Sequence, residues 1–248
     1  MKLAWIFLLL VSFSTRADQL RVGGFIVAPL VTGETAAAPI GGALIEFIEK
    51  EVLPNADLHV QWMPPMSVER ATVSLRKGEI DVLLMVTGTP EDNPGIGVFS
   101  WSYQVAQPYL AVRPNSTLQS INTLDQLKGL TLGWSANSRS DIIALLLQHG
   151  ARWDMVAGKN WQQLNLHKVA AGHIDGAFFL NQYSPAYVAK QEGIAVRLLP
   201  LPLPTVQVHM GYSYKADKEM LARFERAAIS AFAGKKYTNF LNDYIAKK

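Results

Sequence analysis

The sequence predicts an α/β protein built from two lobes of related architecture, and three observations carry this prediction. Strand-like and helix-like segments alternate along the chain, as they do in α/β folds. Two predicted helices end at a Gly that is followed by x-Ile-Asp and an apolar strand, at Gly78–Asp81 and at Gly172–Asp175. Two amphipathic helices at 217–232 and 236–245 close the chain. Because those helices need a sheet to cover, we expect the chain to return to the first lobe and to cross between the lobes twice.

The individual elements follow from periodicity and from turn residues. The first lobe is predicted to contain strands at 20–27, 58–62 and 80–86 and helices at 42–52 and 67–77. The second is predicted to contain strands at 130–134 and 174–180 and helices at 140–149 and 160–171. A strand at 206–214 precedes the closing helices. The predicted domains are 18–108 plus 206–248 for the first lobe and 109–205 for the second.

The composition is that of a globular protein with a sizeable core. Of the 248 residues, 49% are hydrophobic and 17% are charged, which excludes a disordered chain. There is no Cys, so disulfide scaffolds, thiolate metal sites and thiol nucleophiles are excluded. The formal charge is only +3, and loss of Lys2 and Arg16 with a leader leaves 21 basic against 20 acidic residues. We therefore expect no nucleic-acid partner.

The first residues have the pattern of a secretory signal peptide, predicted as residues 1–17. Lys2 supplies a positive charge, Leu3–Val11 is an apolar run, and Ser12–Ala17 ends in small residues that suit cleavage after Ala17. The apolar run is shorter than the roughly 20 residues that span a bilayer. Because no Cys is present at the cleavage site, a bacterial lipid anchor is not expected. These observations predict a free periplasmic protein.

Signatures of catalysis and of metal binding are weak. The segment Gly133–Asn137 lacks the second Gly of a nucleophile elbow, and a Ser before a helix is usually a cap. The five His residues have no metal-binding spacing. Glu91 and Asp92 form a carboxylate pair in a loop without an evident acid/base partner. We therefore predict no catalytic residue, no metal and no cofactor.

Polar and aromatic residues follow the predicted strands 80–86, 130–134 and 174–180, at the carboxyl ends where open α/β sheets bind ligands. The helix N-terminus after the second of these strands favours an anionic group. Two aromatic residues precede the first crossover, and one Arg lies near the start of the helix 67–77. Turn chemistry or packing is the alternative explanation at every position. The candidate ligand-binding residues are Arg70, Thr87, Thr89, Asp92, Trp101, Tyr103, Trp134, Ser135, Asn137, Ser138, Arg139, Asn181 and Tyr183.

Several short motifs, by their order and spacing, resemble family 3 extracellular solute-binding proteins, the periplasmic receptors of ABC importers for polar amino acids and related solutes. The motifs are the leader, the two Gly-x-Ile-Asp strand starts, Phe99–Tyr103 before the crossover, and Leu124–Gly129 at the start of the second lobe. The resemblance covers essentially the whole chain after the leader. It implies the type II periplasmic-binding-protein fold, in which two α/β lobes joined by a two-strand hinge enclose a ligand cleft, and it implies a monomer.

The sequence departs from that family at the residues that bind an amino acid. The family usually has Thr-Pro-x-Arg after the first-lobe strand, with the Arg on the ligand carboxylate, whereas Asp92 stands at that position here. The acidic residue that meets the ligand ammonium is replaced by Asn181, or by Leu180 in a shifted register. The first-lobe Pro-Pro-aromatic loop is reduced to Ala28–Leu30. A standard α-amino-acid clamp is therefore not expected.

The resemblance and its departures together predict the ligand chemistry. We expect a small polar organic solute whose donor or cationic end meets Asp92. Its acidic or accepting end would meet the helix N-terminus near Arg139, with Arg70 as a second cationic candidate. A wall of three aromatic rings would complete the site, namely Trp101, Tyr103 and Trp134.

Three functions remain open at this point. The leading hypothesis is a receptor that delivers its solute to the membrane permease of an ABC importer. The second is a sensory or orphan receptor that signals to a membrane protein. The third is an enzyme on the same scaffold, a periplasmic dehydratase of prephenate-like acids, for which Glu91 and Asp92 are the obvious acidic candidates.

Overall fold

The first of two mixed β-sheets combines the beginning and the end of the chain. In the computed structural model, which describes residues 19–33, 37–136 and 141–247, this sheet has the order β2-β1-β3-β11-β4, and β5 also pairs with β11. Its strands are β1 (Gln19–Gly23), β2 (His59–Trp62), β3 (Val82–Thr87), β4 (Gly97–Val98), β5 (Gln104–Ala106) and β11 (Val206–Tyr212). Together with the helices packed on it, this sheet forms the first lobe.

The second sheet repeats the arrangement of the first and forms the second lobe with its own helices. Its strands are β6 (Tyr109–Val112), β7 (Thr131–Ser135), β8 (Arg152–Val156), β9 (Gly176–Phe179) and β10 (Arg197–Pro200), in the order β10-β6-β9-β7-β8. In each lobe a central strand, β1 or β7, pairs in parallel with two neighbours. The next strand of the sheet, β11 or β6, is antiparallel, and the chain enters it directly after crossing from the other lobe. The prediction of two lobes of related architecture is confirmed.

Two of the helices, α3 and α7, begin at a side chain that caps them. Ser67 caps α3 by accepting from the Arg70 amide at 3.3 Å, and Gly78 ends that helix with φ of 74°. Asp217 caps α7 by accepting from two backbone amides at 2.9 Å. The helices are α1 (Ala43–Phe47), the π-helical Ile48–Val52, α2 (Leu53–Ala56), α3 (Val68–Lys77), the 3-10 turn Leu124–Leu127, α4 (Asp141–Gln148), α5 (Trp161–Ala171), α6 (Tyr183–Glu192), α7 (Lys218–Phe232) and α8 (Lys236–Lys247).

Some element boundaries differ from the predicted ones, and some elements were not predicted. The elements that were not predicted are β4, β5, β6, β8, β10, α6 and the 3-10 turn Leu124–Leu127. The predicted strand 20–27 is too long, because β1 ends at Gly23 and the chain then turns, with Val27 and Val31 exchanging backbone hydrogen bonds of 3.0 Å. Gly23 and Gly24 contribute no side chain to a sheet, and a Cβ on Gly23 would lie 2.6 Å from Met66 Cε. The ends of the Met66 and Ile80 side chains would therefore have to shift to admit a side chain at position 23.

The closing helices cover the first lobe, as predicted. The hydrophobic core between the first sheet and α1, α7 and α8 includes Phe47, Phe224 and Tyr237. A smaller cluster around Leu75 and Ile80 packs α3 against the other face. The second lobe has its own core, which contains the buried rings of four aromatic residues: Trp134, Trp161, Phe178 and Phe179. The chain must therefore cross between the lobes twice.

Two crossing segments lie side by side and form the hinge. Gln107 and Pro108 join β5 to β6, and residues 201–205 join β10 to β11. The Leu201 amide donates to the Pro108 carbonyl at 3.0 Å, and Gln107 Nε2 donates to the Leu201 carbonyl at 2.8 Å. The lobe limits at 108/109 and 205/206 stay predictions, and the leader, residues 1–17, lies outside the described residues. No helix in the described part of the chain is long and apolar enough to cross a membrane.

Candidate functional site

The two lobes meet where the loop after β1 reaches the first turn of α5. The Ala28 amide donates to Gln162 Oε1 at 3.1 Å, and Ala28 packs against the hydrophobic core of the second lobe. On its other side, the same loop accepts from the first turn of α1, since the Pro29 carbonyl lies 2.8 Å from the Ala43 amide. One short loop thus links a first-lobe helix to a second-lobe helix. We call this contact of Ala28 with Gln162 the lobe contact.

The second-lobe side of the lobe contact carries aromatic rings and buried hydrogen-bond donors. The Trp134 ring lies edge-on to the Trp161 ring at 5.0 Å, and Trp161 precedes Gln162 in the first turn of α5. Both Trp134 Nε1 and Gln162 Nε2 are buried and donate to no acceptor in the described part of the chain. An unsatisfied buried donor costs free energy. The second lobe therefore contains two neutral donors that lack an acceptor, and a carboxylate or a carbonyl would satisfy either of them.

A third unsatisfied side chain lies one turn further along α5. Asn165 is fully buried, and neither its amide nitrogen nor its amide oxygen has a hydrogen-bond partner among the described residues. It packs closely on β7, since a Cβ on Gly133 would lie 2.5 Å from Asn165 Oδ1. The amide of Asn165 therefore lies inside the second lobe, between helix and sheet.

The predicted residues after β3 lie on an exposed turn that they hold together themselves. Asp92 Oδ2 accepts from the Thr89 amide at 2.8 Å and from the Thr89 hydroxyl at 2.9 Å. These two bonds hold the pKa of Asp92 below its ordinary value, and the bond from the Thr89 amide is the larger cause. The carboxylate is therefore charged at neutral pH. The Thr87 carbonyl accepts from Asn93 Nδ2 at 2.9 Å. Thr87, Thr89 and Asp92 are all exposed.

The other predicted first-lobe residues lie in different places. Arg70 is exposed in the first turn of α3, where its amide donates to the cap. Trp101 and Tyr103 pack in the core beneath α7 and α8, each with its ring centroid 5.6 Å from that of Phe232. This packing places both rings in the first-lobe core, where Trp101 Nε1 and the Tyr103 hydroxyl are buried without a partner among the described residues.

The predicted residues of the second lobe are mostly buried. Ser135 at the end of β7 donates to the Ala136 carbonyl at 3.1 Å. Asn181 caps α6, since its Oδ1 accepts from the Ser184 amide at 2.9 Å. Tyr183 opens the same helix and packs against the first-lobe core. Three predicted residues lie outside the described residues: Asn137, Ser138 and Arg139.

Gln162 was not among the predicted site residues, although the sequence contains a signal for it. Gln162 and Asn165 are three residues apart and share the buried stripe of α5 with Leu166 and Val169. Polar residues on the apolar face of a helix are unusual, because a buried amide must find partners. Such a pair indicates either an internal hydrogen-bond network or a surface that another group covers.

No cluster of three or more His, Asp or Glu side chains able to hold a metal ion occurs within the ranges that the structure describes. The chemistry at the lobe contact is that of neutral donors and aromatic rings on the second-lobe side. In the first lobe, the carboxylate of Asp92 adds a negative charge on the turn after β3.

Comparison with known proteins gives matches among solved structures. Neither protein-family models nor curated sequences match the chain. An ancestral arginine-binding protein bound to arginine is 20% identical with a TM-score of 0.72, over 92% of this chain and 98% of that one. The periplasmic VFT2 domain of Bordetella pertussis BvgS is 18% identical with a TM-score of 0.72, over 92% and 94%.

A third similar structure is AbpA from Streptococcus pneumoniae, an amino acid ABC transporter substrate-binding protein bound to L-arginine. It is 18% identical with a TM-score of 0.69, over 93% of this chain and 94% of that one. At these identities the likeness concerns the fold, and it agrees with the resemblance found in the sequence. The chain therefore has the type II periplasmic-binding-protein fold, with two α/β lobes joined by two crossing segments.

Proposed function

We propose that the protein is a non-enzymatic receptor that binds a small polar organic solute between its two lobes. The observation that carries the proposal is the lobe contact, where Ala28 and Gln162 join the lobes at 3.1 Å. Two unsatisfied donors, Trp134 Nε1 and Gln162 Nε2, lie in the same part of the second lobe. The fold supports the proposal, because receptors with this two-lobed form bind ligands by hinge closure.

The donors give a physical reason for coupling between ligand and closure. In the observed arrangement Trp134 Nε1 and Gln162 Nε2 are buried without an acceptor, which is unfavourable unless a ligand supplies one. A carboxylate or carbonyl of the solute supplies such an acceptor. The closed arrangement is then favoured by solutes that offer an acceptor to the second lobe, since a ligand shifts an equilibrium by its differential affinity.

Calorimetric titration with a library of amino acids, organic acids and amines tests the proposal. We expect at least one solute to bind saturably and to make the protein more compact in small-angle X-ray scattering. Gln162→Ala should weaken binding about tenfold, since a buried donor to a charged acceptor is lost. The matched control is Gln163→Ala, because Gln163 is exposed on the same turn and donates to Glu192 at 3.0 Å. Absence of any ligand, or equal losses in both variants, would contradict the proposal.

Asp92 and Arg139 are proposed to contact opposite ends of the solute. Asp92→Ala and Arg139→Ala should each weaken binding at least about tenfold if these charges lie against the ligand. The alternative for Asp92 is that it only holds the turn through Thr89. Losses below about twofold in both variants would place the two side chains at the rim and refute the charge-reversed clamp.

The proposed partner is the membrane permease of an ABC importer, to which the solute-loaded monomer would dock in the periplasm. AbpA is described as belonging to such a transporter. A sensory role is the second candidate, because the VFT2 domain of BvgS has an equally similar fold. Adjacent permease and ATPase genes would support import, and an adjacent sensor gene would support signalling.

Mass spectrometry of the exported protein should give Asp18 as its first residue.

The proposal excludes the dehydratase alternative. Purified protein should not turn over prephenate or arogenate. Turnover that is abolished by Asp92→Asn would instead show that the protein is an enzyme with Asp92 as an acidic catalytic group.

A further inference from the structure

A cavity of about 430 Å³ lies in the first lobe, at the end of the sheet that is remote from the lobe contact. Its walls come from β4, from the end of β11 and from the first half of α7. Tyr212 pairs with Val82 at the start of β3, whereas the loop of Ala28 follows the opposite end of the parallel strand β1. We call this cavity the distal pocket. The lining residues that the argument uses are Val98, Tyr212, Tyr214, Lys218, Ala222 and Glu225.

Two tyrosine rings with accessible surface line the distal pocket. The Tyr212 ring lies against the backbone of β4, where a Cβ on Gly97 would overlap the ring carbons. The Phe99 ring supports it at a centroid distance of 4.8 Å, and the Tyr214 ring lies edge-on to it at 5.9 Å. Tyr212 is half-buried and Tyr214 is 62% exposed, so a ligand in the pocket can reach both rings. Aromatic faces attract cations, because their π-electrons carry negative charge.

The carboxylate of Glu225 adds a negative charge to the pocket. Glu225 is half-buried and has neither an ion pair nor a hydrogen bond within the described ranges. Burial, then the neighbouring Tyr214, then the charge of Glu225 raise the pKa of Tyr212, so the carboxylate lies near this phenol. Lys218 is exposed and stands seven residues earlier, roughly 10 Å away along the helix axis. The end of the pocket formed by Glu225 and Tyr212 is therefore negative.

The chemistry of the walls suits an organic cation better than a metal ion. Ca²⁺ takes about six to eight oxygen ligands, whereas the described residues that line the pocket include a single carboxylate. The rest of the wall includes the apolar side chains of Val98 and Ala222, which are half-buried and exposed respectively. Methyl or methylene groups of an organic cation would contact these side chains and remove apolar surface from water.

We propose that the distal pocket binds a small organic cation, such as a quaternary ammonium or a guanidinium group, against the Glu225 carboxylate and the rings of Tyr212 and Tyr214. The cavity volume of about 430 Å³ lies within the range of roughly 300–1,000 Å³ for small-molecule sites. The described residues that line the pocket all belong to the first lobe, so binding there does not require closure of the lobes. This site is therefore separate from the proposed solute site at the lobe contact.

Nuclear magnetic resonance with probes of matched shape tests the proposal. Tetramethylammonium, tert-butanol and pivalate are titrated into the purified protein, because they have similar size but positive, neutral and negative charge. Methylguanidinium is used as a second cation. We expect saturable shifts of the amide signals of Ser100, Ser213 and Ala222 with at least one cation, weaker shifts with tert-butanol and none with pivalate. A response to tert-butanol or pivalate as strong as that to the cations, or no saturable response to either cation, would overturn the proposal.

Variants of the lining residues connect these shifts to the proposed contacts. Glu225→Gln should raise the Kd of the bound cation about fivefold, because it removes the opposing charge. Tyr214→Leu should raise it about threefold, since an exposed cation–π contact is lost. Glu219→Gln is the matched control, because it removes the same charge from an exposed position of α7 outside the pocket. Equal losses in Glu219→Gln and Glu225→Gln, or unchanged Kd values in both pocket variants, would refute the site, whereas Gln162→Ala should leave it intact.

Discussion

Each lobe has an Asp that exchanges the same two hydrogen bonds with the backbone of a neighbouring strand, but among the described residues only the first lobe adds an ion pair to that Asp. In the first lobe the Asp81 amide donates to the Arg21 carbonyl at 2.8 Å, and Asp81 Oδ2 accepts from the Arg21 amide at 2.8 Å. In the second, Asp175 and Thr131 exchange the same two bonds at 2.9 and 2.7 Å. The Arg21 guanidinium adds bonds of 2.7 and 3.0 Å to the buried Asp81, whereas Asp175 is exposed. The sequence repeat therefore encodes a strand start, and the ion pair is an addition by one lobe.

The helices before these junctions differ in a second way. Seven residues before the terminal glycines Gly78 and Gly172 stand Ala71 in α3 and Asn165 in α5, both with no exposed surface. Ala71 packs within an apolar cluster, but the amide of Asn165 has no partner in the described ranges. Equivalent positions thus carry an apolar residue in one lobe and an unsatisfied amide in the other. The unsatisfied amide of Asn165 therefore lowers the stability of the second lobe, and the first lobe has no such loss at Ala71.

The largest expected effect breaks the Asp81 ion pair. Asp81→Ala should lower the free energy of unfolding by about 3 kcal/mol, because Arg21 loses three hydrogen bonds to a buried carboxylate, although its guanidinium keeps the bond to the Gly78 carbonyl. Asp175→Ala removes one hydrogen bond from an exposed site and should cost about 1 kcal/mol. Urea unfolding of both variants measures the difference. Equal losses would show that the ion pair adds no stability to that of the hydrogen bonds that both lobes share.

The next largest effects are expected from substitutions at the equivalent buried positions of α3 and α5. Ala71→Asn should destabilise the protein by about 2 kcal/mol, because it buries an unsatisfied amide in an apolar cluster. Asn165→Leu replaces an unsatisfied amide by an apolar group of similar size and should stabilise it by about 1 kcal/mol. Thermal and urea unfolding check both signs. Destabilisation by Asn165→Leu would mean that the amide has a partner in the protein, and would remove this contrast between the lobes.

High pH tests the first lobe, which holds both deeply buried tyrosine hydroxyls. Burial raises the pKa of Tyr103 and Tyr237 in the folded state, so their contribution to stability is complete below the ordinary pKa of 10 and is lost as pH rises above it. Each should lower the free energy of unfolding by about 1 kcal/mol per pH unit above 10. Urea unfolding at pH 9 and pH 11 measures this loss. Tyr103→Phe and Tyr237→Phe should reduce the dependence on pH, and Tyr214→Phe should not.

The smallest difference between the lobes is expected at the glycines that end α3 and α5. Gly78 has φ of 74° and Gly172 has φ of 76°, a region in which a side chain is strained. Alanine should therefore cost about 1 kcal/mol at either position. Nearly equal losses in urea unfolding would confirm that the backbone of the two junctions is equivalent. A much larger loss at one glycine would show that its lobe is packed more tightly around the turn.

The residues of the lobe contact show why the site was harder to predict than the fold. Gln162 gains its role from Ala28, which is 134 positions away in the chain, and no local pattern encodes that meeting. Trp101 and Tyr103 were expected at the ligand, yet they pack against Phe232, whose helix follows more than a hundred residues later. Asp92 was expected to face a solute, and in the structure it accepts from Thr89 three residues before it.

The sequence by itself determined the features whose causes lie within a few residues. Caps such as Ser67 and Asp217, the glycine that ends α3, and the two Gly-x-Ile-Asp strand starts depend on bonds and backbone angles close to them in the chain. Only the tertiary structure decided which lobe the closing helices cover, where the lobes touch and which polar atoms stay unsatisfied. These depend on the packing of segments far apart in the chain, such as Tyr103 against Tyr237. Burial, which sets the free energy of an unpaired donor or hydroxyl, exists only after those segments have met.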